Sequence, residues 1–283
     1  MKIYLDCYPC FLRQALEAGR FAGLNQEAQR TVLLGAMDIL RALPRKATPP
    51  DIANRIHKAI RRLSGSEDPY KKEKEAWTAR ALELLPRLEG IVREAPDPLE
   101  AALRVGVAGN IIDLGPNFAP IDLEKTLQEA LTRPFALDSL GEFRQALDRA
   151  EWVLLLGDNA GETVFDRVMI PRLGRPVVYA AKGGPILNDA TLEDARAAGL
   201  DQVARLVSTG CAAAGTDLGL SSPEFRKIFE EAPLILAKGQ AQYETLSGRG
   251  DKRVFFLLKV KCPVIGRDLG GLETGSLVFT RDR

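Results

Sequence analysis

The sequence predicts an α/β protein in which an α-helical N-terminal domain precedes a doubly wound, mostly parallel sheet. Three observations support this class. The 283 residues are enough for about two domains of ~150 residues each. The first half shows helical spacing of apolar residues, and the second half shows short apolar runs that alternate with amphipathic segments. We therefore predict an α-helical domain over 1–150 and an α/β domain over 151–283.

The first predicted domain consists of successive helices between Pro9 and about Arg149. Apolar residues recur at the spacing of a helix face, first at Leu12, Ala15, Leu16 and Gly19, then at Val32, Leu33, Ala36, Ile39 and Leu40. Prolines interrupt this half, Pro86 among them, and we expect helices to end near them. This helical half is expected to contribute to the ligand cleft.

The second predicted domain contains six apolar runs that are typical of strands buried on both faces. They are Trp152–Leu156, Val177–Ala181, Val203–Val207, Leu234–Ala237, Val254–Leu258 and Leu277–Phe279. Helical patterns separate most of the runs, at Val164–Leu173, Leu192–Ala198, Pro223–Glu231 and Gln240–Leu246. This alternation predicts a parallel sheet with helices on both faces.

Composition excludes several classes of function. The 39 Lys and Arg residues nearly balance the 38 Asp and Glu residues, and a formal charge of +1 is too small for the positive field of a nucleic-acid-binding protein. The single histidine, His57, excludes mechanisms and metal sites that need two histidines. Its helical context predicts a structural or solvated side chain.

Cysteine usage and hydropathy predict the cellular setting. Four cysteines are too few for a secreted disulfide scaffold of this length, and the N-terminus does not resemble a signal peptide. No run approaches the ~20 apolar residues of a membrane span. We expect a cytoplasmic protein with no membrane or nucleic-acid partner, whose oligomeric state the sequence leaves open.

Ligands of open α/β sheets bind beyond the carboxyl ends of the strands, so the residues after each apolar run indicate the site. Asp158 and Asn159 follow the first run, and Asp189 lies just past the second. Carboxylate and amide oxygens suit a hard divalent cation, which can clamp a phosphoryl group. The alternative is that Asp158 and Asp189 cap the helices that follow them.

Later loops carry residues suited to a phosphate group. Ser208, Thr209 and Gly210 could donate hydrogen bonds to a phosphate at a helix N-terminus. Lys238 and Lys261 could offset its charge during phosphoryl transfer. Each lysine could equally be an ordinary surface residue. Neither a Gly-x-Gly-x-x-Gly fingerprint after the first run nor a Walker-type loop is present, which disfavours dinucleotide oxidoreduction and P-loop hydrolysis.

A glycine-rich segment at 106–115 lies in the helical half. Its two close glycines suggest a close backbone approach and a contribution of Asn110 and Asp113 to the cleft. A structural turn explains the same residues equally well.

In their order along the chain, these motifs resemble the metal-dependent damage-control phosphatases, a family long described only as a domain of unknown function. The resemblance is strongest to the prokaryotic branch with an N-terminal Cys-x-x-Cys. It rests on Cys7-Tyr-Pro-Cys10 with Arg13-Gln14, Gly109-Asn110-Ile-Ile-Asp113, Gly157-Asp158-Asn159-Ala160-Gly161-Glu162, Asn188-Asp189-Ala190, Ser208-Thr209-Gly210, Lys238-Gly239-Gln240 and Lys261-Cys262-Pro263.

The resemblance implies a Rossmann-like, mostly parallel sheet domain joined to an α-helical N-terminal domain. It implies hydrolysis of small phosphometabolites, such as sugar phosphates or damaged metabolite phosphates, with Mg²⁺ or Mn²⁺, or else Co²⁺ or Ni²⁺. The implied metal ligands are Asp158, Asn159 and Asp189, and Lys238 joins them as a catalytic residue. The implied substrate-binding residues are Asn110, Asp113, Glu162, Lys182, Ser208, Thr209, Gly210, Gly239, Gln240 and Lys261. One departure is Gln242, where relatives commonly place Asn.

Two other functions stay open at this point. A haloacid-dehalogenase-like enzyme, which forms an aspartyl phosphate, needs a second acid two residues after its nucleophile, and Ala160 occupies that position. A non-catalytic module that binds phospho-ligands or metal would use the same acids and lysines without turnover.

The cysteines give a separate hypothesis. We expect Cys7 and Cys10 to lie near Cys262 at the cleft, outside the catalytic metal site. Simple buried hydrophobic cysteines are the alternative.

Overall fold

The computed structural model describes residues 1–44, 47–109 and 123–282, with only the backbone described for 123–126. Its N-terminal part contains the helices α1 (Cys7–Phe21), α2 (Gln26–Arg41), α3 (Pro49–Ser64), α4 (Lys71–Glu94) and α5 (Pro98–Gly109). Then come α6 (Leu123–Thr132), β1 (Phe135–Asp138), α7 (Leu140–Arg149), β2 (Val153–Leu156), α8 (Thr163–Met169), β3 (Val177–Ala181) and α9 (Leu192–Ala197). The chain ends with β4 (Arg205–Ser208), α10 (Pro223–Glu231), β5 (Ile235–Lys238), α11 (Gln240–Leu246), β6 (Val254–Lys259), α12 (Pro263–Asp268) and β7 (Leu277–Arg281).

Local sequence explains how α3 begins and ends. Two prolines open the helix, where their fixed φ is favourable and their missing N–H groups have no helical partner. The Thr48 backbone N–H donates to Asp51 Oδ2 at 2.7 Å, which satisfies one of the donors at the helix start. Gly65 ends the helix at φ 66°, a conformation that favours glycine. Pro86, by contrast, lies inside α4, so the expectation of a helix end there is wrong.

Within the described residues, seven strands form one sheet in the order β1-β7-β6-β5-β2-β3-β4. The pairs from β6 to β4 are parallel, and β7 is antiparallel to β6. The chain moves from β2 to β3 and β4 on one side, while β5 and β6 lie on the other. The switch in strand order therefore falls between β2 and β5, where open α/β sheets bind ligands. This confirms the predicted α/β class and its mostly parallel sheet.

The six predicted strands all form, and each end lies within two residues of the prediction. The helices Pro223–Glu231 and Gln240–Leu246 have the predicted bounds. β1 was not predicted, because its four residues contain no β-branched side chain and lie in an otherwise helical half. Pairing with β7 makes this segment a strand. The sheet therefore begins before residue 150, and the division of the chain at that residue stays a prediction.

In the part of the chain that the structure describes, apolar side chains form three clusters. Alternate residues of β2 enter different clusters, Leu155 on one face of the sheet and Leu154 and Leu156 on the other. The helices α1 to α3 have a cluster of their own, which also receives Val264 of α12. The three-helix unit is thereby held against the carboxyl-end side of β6. His57 is buried in α3 and packs near the ring of Tyr70, in agreement with a structural role.

Among the helices that the structure describes, none combines the length and the apolar character needed to cross a bilayer.

Candidate active site

A cavity of about 460 Å³ lies between the three-helix unit and the carboxyl ends of the central strands. Its sheet-side wall contains five of the predicted site residues, namely Asp158, Asn159, Asp189, Gln240 and Lys261. The opposite wall includes Cys7, Cys10, Arg13 and Gln14 of α1 and the first residues of α3. Its volume is in the range of pockets for small molecules.

The loops after β2 and β3 are joined by backbone hydrogen bonds, and this brings the predicted metal ligands together. Asn159 and Asp189 form an isolated antiparallel bridge. The Ala190 N–H donates to the carbonyl of Asp158 at 2.8 Å, and the Ala160 N–H donates to the carbonyl of Asn188 at 2.9 Å. Asp158, Asn159 and Asp189 are only 5 %, 6 % and 3 % exposed. Residues thirty positions apart thus share one buried corner of the cavity.

Helix capping does not explain these carboxylates. The cap of α9 is Thr191, whose side chain accepts a hydrogen bond from the backbone N–H of Asp194. Glu162 occupies the cap position of α8, after a short 3₁₀ turn over Ala160–Glu162. Asp158 and Asp189 therefore lie before the cap positions of α8 and α9, and helix capping does not account for their place in the cavity wall.

A chain of polar contacts runs from the cavity into the core. Asn159 Nδ2 donates to Glu162 Oε1 at 2.7 Å, which orients the amide. Lys238 Nζ lies 3.0 Å from Glu162 Oε2 and 2.6 Å from Asp166 Oδ1, and the Tyr179 hydroxyl donates to Asp166 Oδ2 at 3.1 Å. The Lys238 side chain is fully buried beneath the cavity. Lys238 and Glu162 therefore lie behind Asn159, and their place suits positioning better than the predicted direct contact with substrate.

The charge of Lys238 is stabilised by its neighbours. Burial alone lowers the pKa of a lysine, but the Asp166 and Glu162 carboxylates raise the pKa of Lys238 well above its ordinary value. The ammonium group therefore keeps its proton in the core. Removal of the Lys238 ammonium group would leave the carboxylates of Glu162 and Asp166 buried without a cation.

Gly239 is required by its contact with Asp158. Its φ of 86° with ψ of 167° is a conformation accessible essentially to glycine alone. A Cβ atom at this position would overlap Oδ2 of Asp158. The lack of a side chain at Gly239 therefore leaves room for the carboxylate of Asp158.

We expect Gly239→Ala to lower kcat/KM by about 10²-fold, since displacement of catalytic groups by about 1 Å has an effect of that order. Backbone strain should also reduce stability by about 1–3 kcal/mol. The matched control is Gly248→Ala, because Gly248 has φ 75° and open space around its Cβ position. Initial rates and thermal unfolding of both variants check the expectation. Equal activity in the two variants would show that crowding of Asp158 is unimportant.

Lys182 and the Ser208–Gly210 segment were also predicted to bind substrate, but they do not line this cavity. Lys182 Nζ is buried, donates to the carbonyl of Gly215 at 2.6 Å and lies 3.4 Å from Asp189 Oδ2. It therefore supports Asp189 from behind. Thr209 Oγ1 donates to the carbonyl of Cys211 at 3.2 Å. The next α-helix, α10, begins only at Pro223, so Ser208–Gly210 do not form the expected helix N-terminus.

Two predicted residues, Asn110 and Asp113, lie outside the described residues, so their part in the cleft stays a prediction.

The most informative residue that the sequence analysis missed is Glu244. It lines the cavity from α11 and is 8 % exposed. The only available signal was its position six residues after Lys238, in the same motif and one helical turn after Gln240.

Cys7, Cys10 and Cys262 all line the cavity. Burial raises the pKa of the Cys7 and Cys10 thiols, which disfavours reactive thiolates. Cys211 belongs to another loop, where its carbonyl accepts a hydrogen bond from the Gly183 N–H at 2.8 Å. Over the described ranges, with 45–46 and 110–122 outside them, no three Cys, His, Asp or Glu side chains are arranged to hold a metal ion.

The donor set of Asp158, Asn159 and Asp189 fits a hard divalent cation. It offers two carboxylates and one amide, all oxygen donors, and this chemistry suits Mg²⁺ or Mn²⁺ better than a soft metal. The hydrogen bond from Asn159 Nδ2 to Glu162 turns the amide nitrogen toward that carboxylate. The space left by Gly239 accommodates the carboxylate of Asp158.

Comparison with known proteins decides the family. Residues 3–277 match the model of the damage-control phosphatase ARMT1-like domain. The chain belongs to the damage-control phosphatase family. It is 33% identical to a damage-control phosphatase of Pyrococcus horikoshii over 291 residues, which cover 100% of this chain and 99% of the relative. A damage-control phosphatase of Archaeoglobus fulgidus is 35% identical over 238 residues, which cover 80% of each chain.

A solved structure gives the same result for the fold. The crystal structure of a DUF89 family protein from Pyrococcus horikoshii superposes with a TM-score of 0.88 at 33% identity, covering 100% of both chains. The resemblance inferred from the motifs is therefore confirmed at the level of the family, and the chain has the expected fold. Assignment to the branch with an N-terminal Cys-x-x-Cys stays a prediction.

Proposed function

We propose that this member of the damage-control phosphatase family is a metal-dependent phosphomonoesterase for small phosphorylated metabolites. The observation that supports it best is the backbone bridge that joins Asn159 to Asp189 beside Asp158 in the cavity wall. These three side chains would hold a divalent cation, Mg²⁺ or Mn²⁺ or else Co²⁺ or Ni²⁺. When bound, such a cation polarises phosphoryl oxygens and lowers the pKa of a water nucleophile.

The remaining wall suits an anionic ester of limited size. Lys261 and Arg13 line the cavity and supply positive charge toward a phosphate group. Lys238 and Glu162 hold Asn159 from below, and Lys182 supports Asp189. In this proposal they position the ligands without touching substrate. The cavity of about 460 Å³ matches a small metabolite rather than a polymer.

Each of the two other functions meets a specific difficulty. An aspartyl-phosphate mechanism would need an acid at position 160, where a buried alanine stands. A non-catalytic binding module explains the acids and lysines but offers no reason for the phosphatase names of the relatives. We therefore prefer the hydrolase.

The test is phosphate release from a panel of small phosphate esters after chelation of metals and after addition of Mg²⁺, Mn²⁺, Co²⁺ or Ni²⁺. We expect at least one metal to raise turnover about 10²-fold or more above the chelated protein, because the cation stabilises transferred charge by several kcal/mol. Equal turnover with and without metal would contradict the metal site. Saturable binding of esters without release under every condition would favour the binding module.

A further inference from the structure

We infer that Glu244 is the general acid of the reaction, which protonates the ester oxygen as the phosphoryl group leaves. This inference rests on the proposed phosphomonoesterase function and assigns a role to a residue outside the predicted site.

The position of Glu244 brings a carboxyl group into the same cavity as the proposed metal ligands. It lies in α11, directly after the Gly239 turn, and lines the cavity together with Asp158 and Asp189. Its side chain is buried, so little of the carboxyl group is exposed to bulk solvent.

Two hydrogen bonds orient the carboxyl group. The backbone N–H of Lys261 donates to Gln240 Oε1 at 3.3 Å, which fixes the direction of the Gln240 amide. Gln240 Nε2 then donates to Glu244 Oε1 at 2.8 Å. Since Oε1 is the acceptor of this bond, Oε2 is the oxygen that can carry a transferable proton.

Burial also favours the protonated form. It raises the pKa of Glu244 to about 7, against the opposing effects of the Gln240 hydrogen bond, the α-amino group and Lys261. A general acid works best when its pKa lies near the operating pH. The other titratable groups that face this carboxyl are the α-amino group, Cys7, Cys10, Lys261 and Asp268.

The other carboxyl groups in the cavity wall are less suitable. Asp158 and Asp189 are assigned to the metal and would be ionised there. Asp6 is exposed and forms an ion pair with Arg267. Among the described residues of the wall, Glu244 is the carboxyl group that remains for proton transfer.

The step balances with water as the only co-reactant. The water oxygen forms a bond to phosphorus while the bond from phosphorus to the ester oxygen breaks, and the electron pair of that bond stays on the ester oxygen. Glu244 Oε2 gives its proton to this oxygen, and an alcohol leaves. One proton of the attacking water returns through solvent to the carboxylate, and inorganic phosphate departs.

The experiment compares phosphate esters whose leaving groups differ in their need for a proton. Glu244→Gln should lower kcat/KM for glycerol phosphate by about 10²–10⁴-fold, the usual contribution of a general acid. With 2,4-dinitrophenyl phosphate, whose leaving group departs as an anion, the loss should be below about tenfold. The matched control is Glu230→Gln, an exposed residue of α10, which should match wild type with both esters.

A wild-type measurement keeps the test independent of whether the variant folds. With saturating metal, kcat/KM for glycerol phosphate should fall at alkaline pH as Glu244 ionises, and the dinitrophenyl ester should lack that fall. The assignment would be overturned if folded Glu244→Gln lost kcat/KM equally with both esters. It would also be overturned if kcat/KM of wild type fell equally for both esters at alkaline pH. If wild type releases phosphate from no ester of the panel with any metal, the proposed function fails instead.

Discussion

Asp158→Ala is expected to lower metal-dependent kcat/KM by about 10³-fold or more, while the protein stays folded. The variant removes one of two carboxylates from the proposed metal site, and a loss of about 4 kcal/mol of transition-state stabilisation corresponds to that factor. The residue lies in the cavity wall, so its truncation opens no void in an apolar cluster. Steady-state rates over a range of Mn²⁺ concentrations, with calorimetric titration of Mn²⁺, provide the measurement.

The control for this variant is Asp201→Ala, which removes an exposed carboxylate outside the cavity. It should keep wild-type rates and wild-type Mn²⁺ affinity. If Asp158→Ala turns over substrate normally at limiting metal, the cation is held by other residues and the proposed centre is wrong.

Lys238→Met is expected to reduce the free energy of unfolding by about 3–5 kcal/mol, the usual effect of removing one partner from a buried ion pair. The ammonium group lies between Glu162 and Asp166, at 3.0 Å and 2.6 Å, in a side chain with no exposed surface. Methionine fills a similar volume but leaves both carboxylates without a cation. Urea unfolding followed by circular dichroism measures the change.

The matched control is the same substitution on the cavity wall. Lys261 is exposed there, so Lys261→Met should leave stability nearly unchanged and lower kcat/KM by about 10- to 10³-fold through lost charge toward phosphate. Equal stability of the two variants would refute the structural role of Lys238. Full activity of Lys261→Met would make that lysine an ordinary surface residue.

The Lys238→Met variant should also show a distinctive dependence on pH. Burial raises the pKa of Asp166 above its ordinary value, and the charge of Lys238 opposes this effect, so loss of that charge should raise the folded-state pKa of Asp166 further. Groups shifted in this direction bind more protons in the folded state, so the stability deficit should shrink as pH falls from about 7 to 5. A deficit independent of pH would indicate a packing defect.

The sequence by itself determined the fold class, because central strands of the parallel sheet such as β2 and β5 are buried on both faces and must be continuously apolar. The run before Asp158 illustrates this, since all four residues of β2 are buried. The same logic located the loops at the carboxyl ends of strands, and hence Asp158, Asn159 and Asp189. Apolar runs did not predict β1, because this segment has only a weak local preference for a strand and becomes one by pairing with β7.

Only the tertiary structure decided which loop residues lie in the cavity wall and which lie beneath it. Lys238 and Lys261 both come after apolar runs and look alike in sequence, yet Lys238 is fully buried between two carboxylates and Lys261 lines the cavity. Glu244 joins the site because α11 turns back beside the loop of Lys261, and the hydrogen bonds of Gln240 hold it there. Burial, ion pairing and pKa depend on neighbours that are distant in the chain, and local residue patterns do not encode those distances.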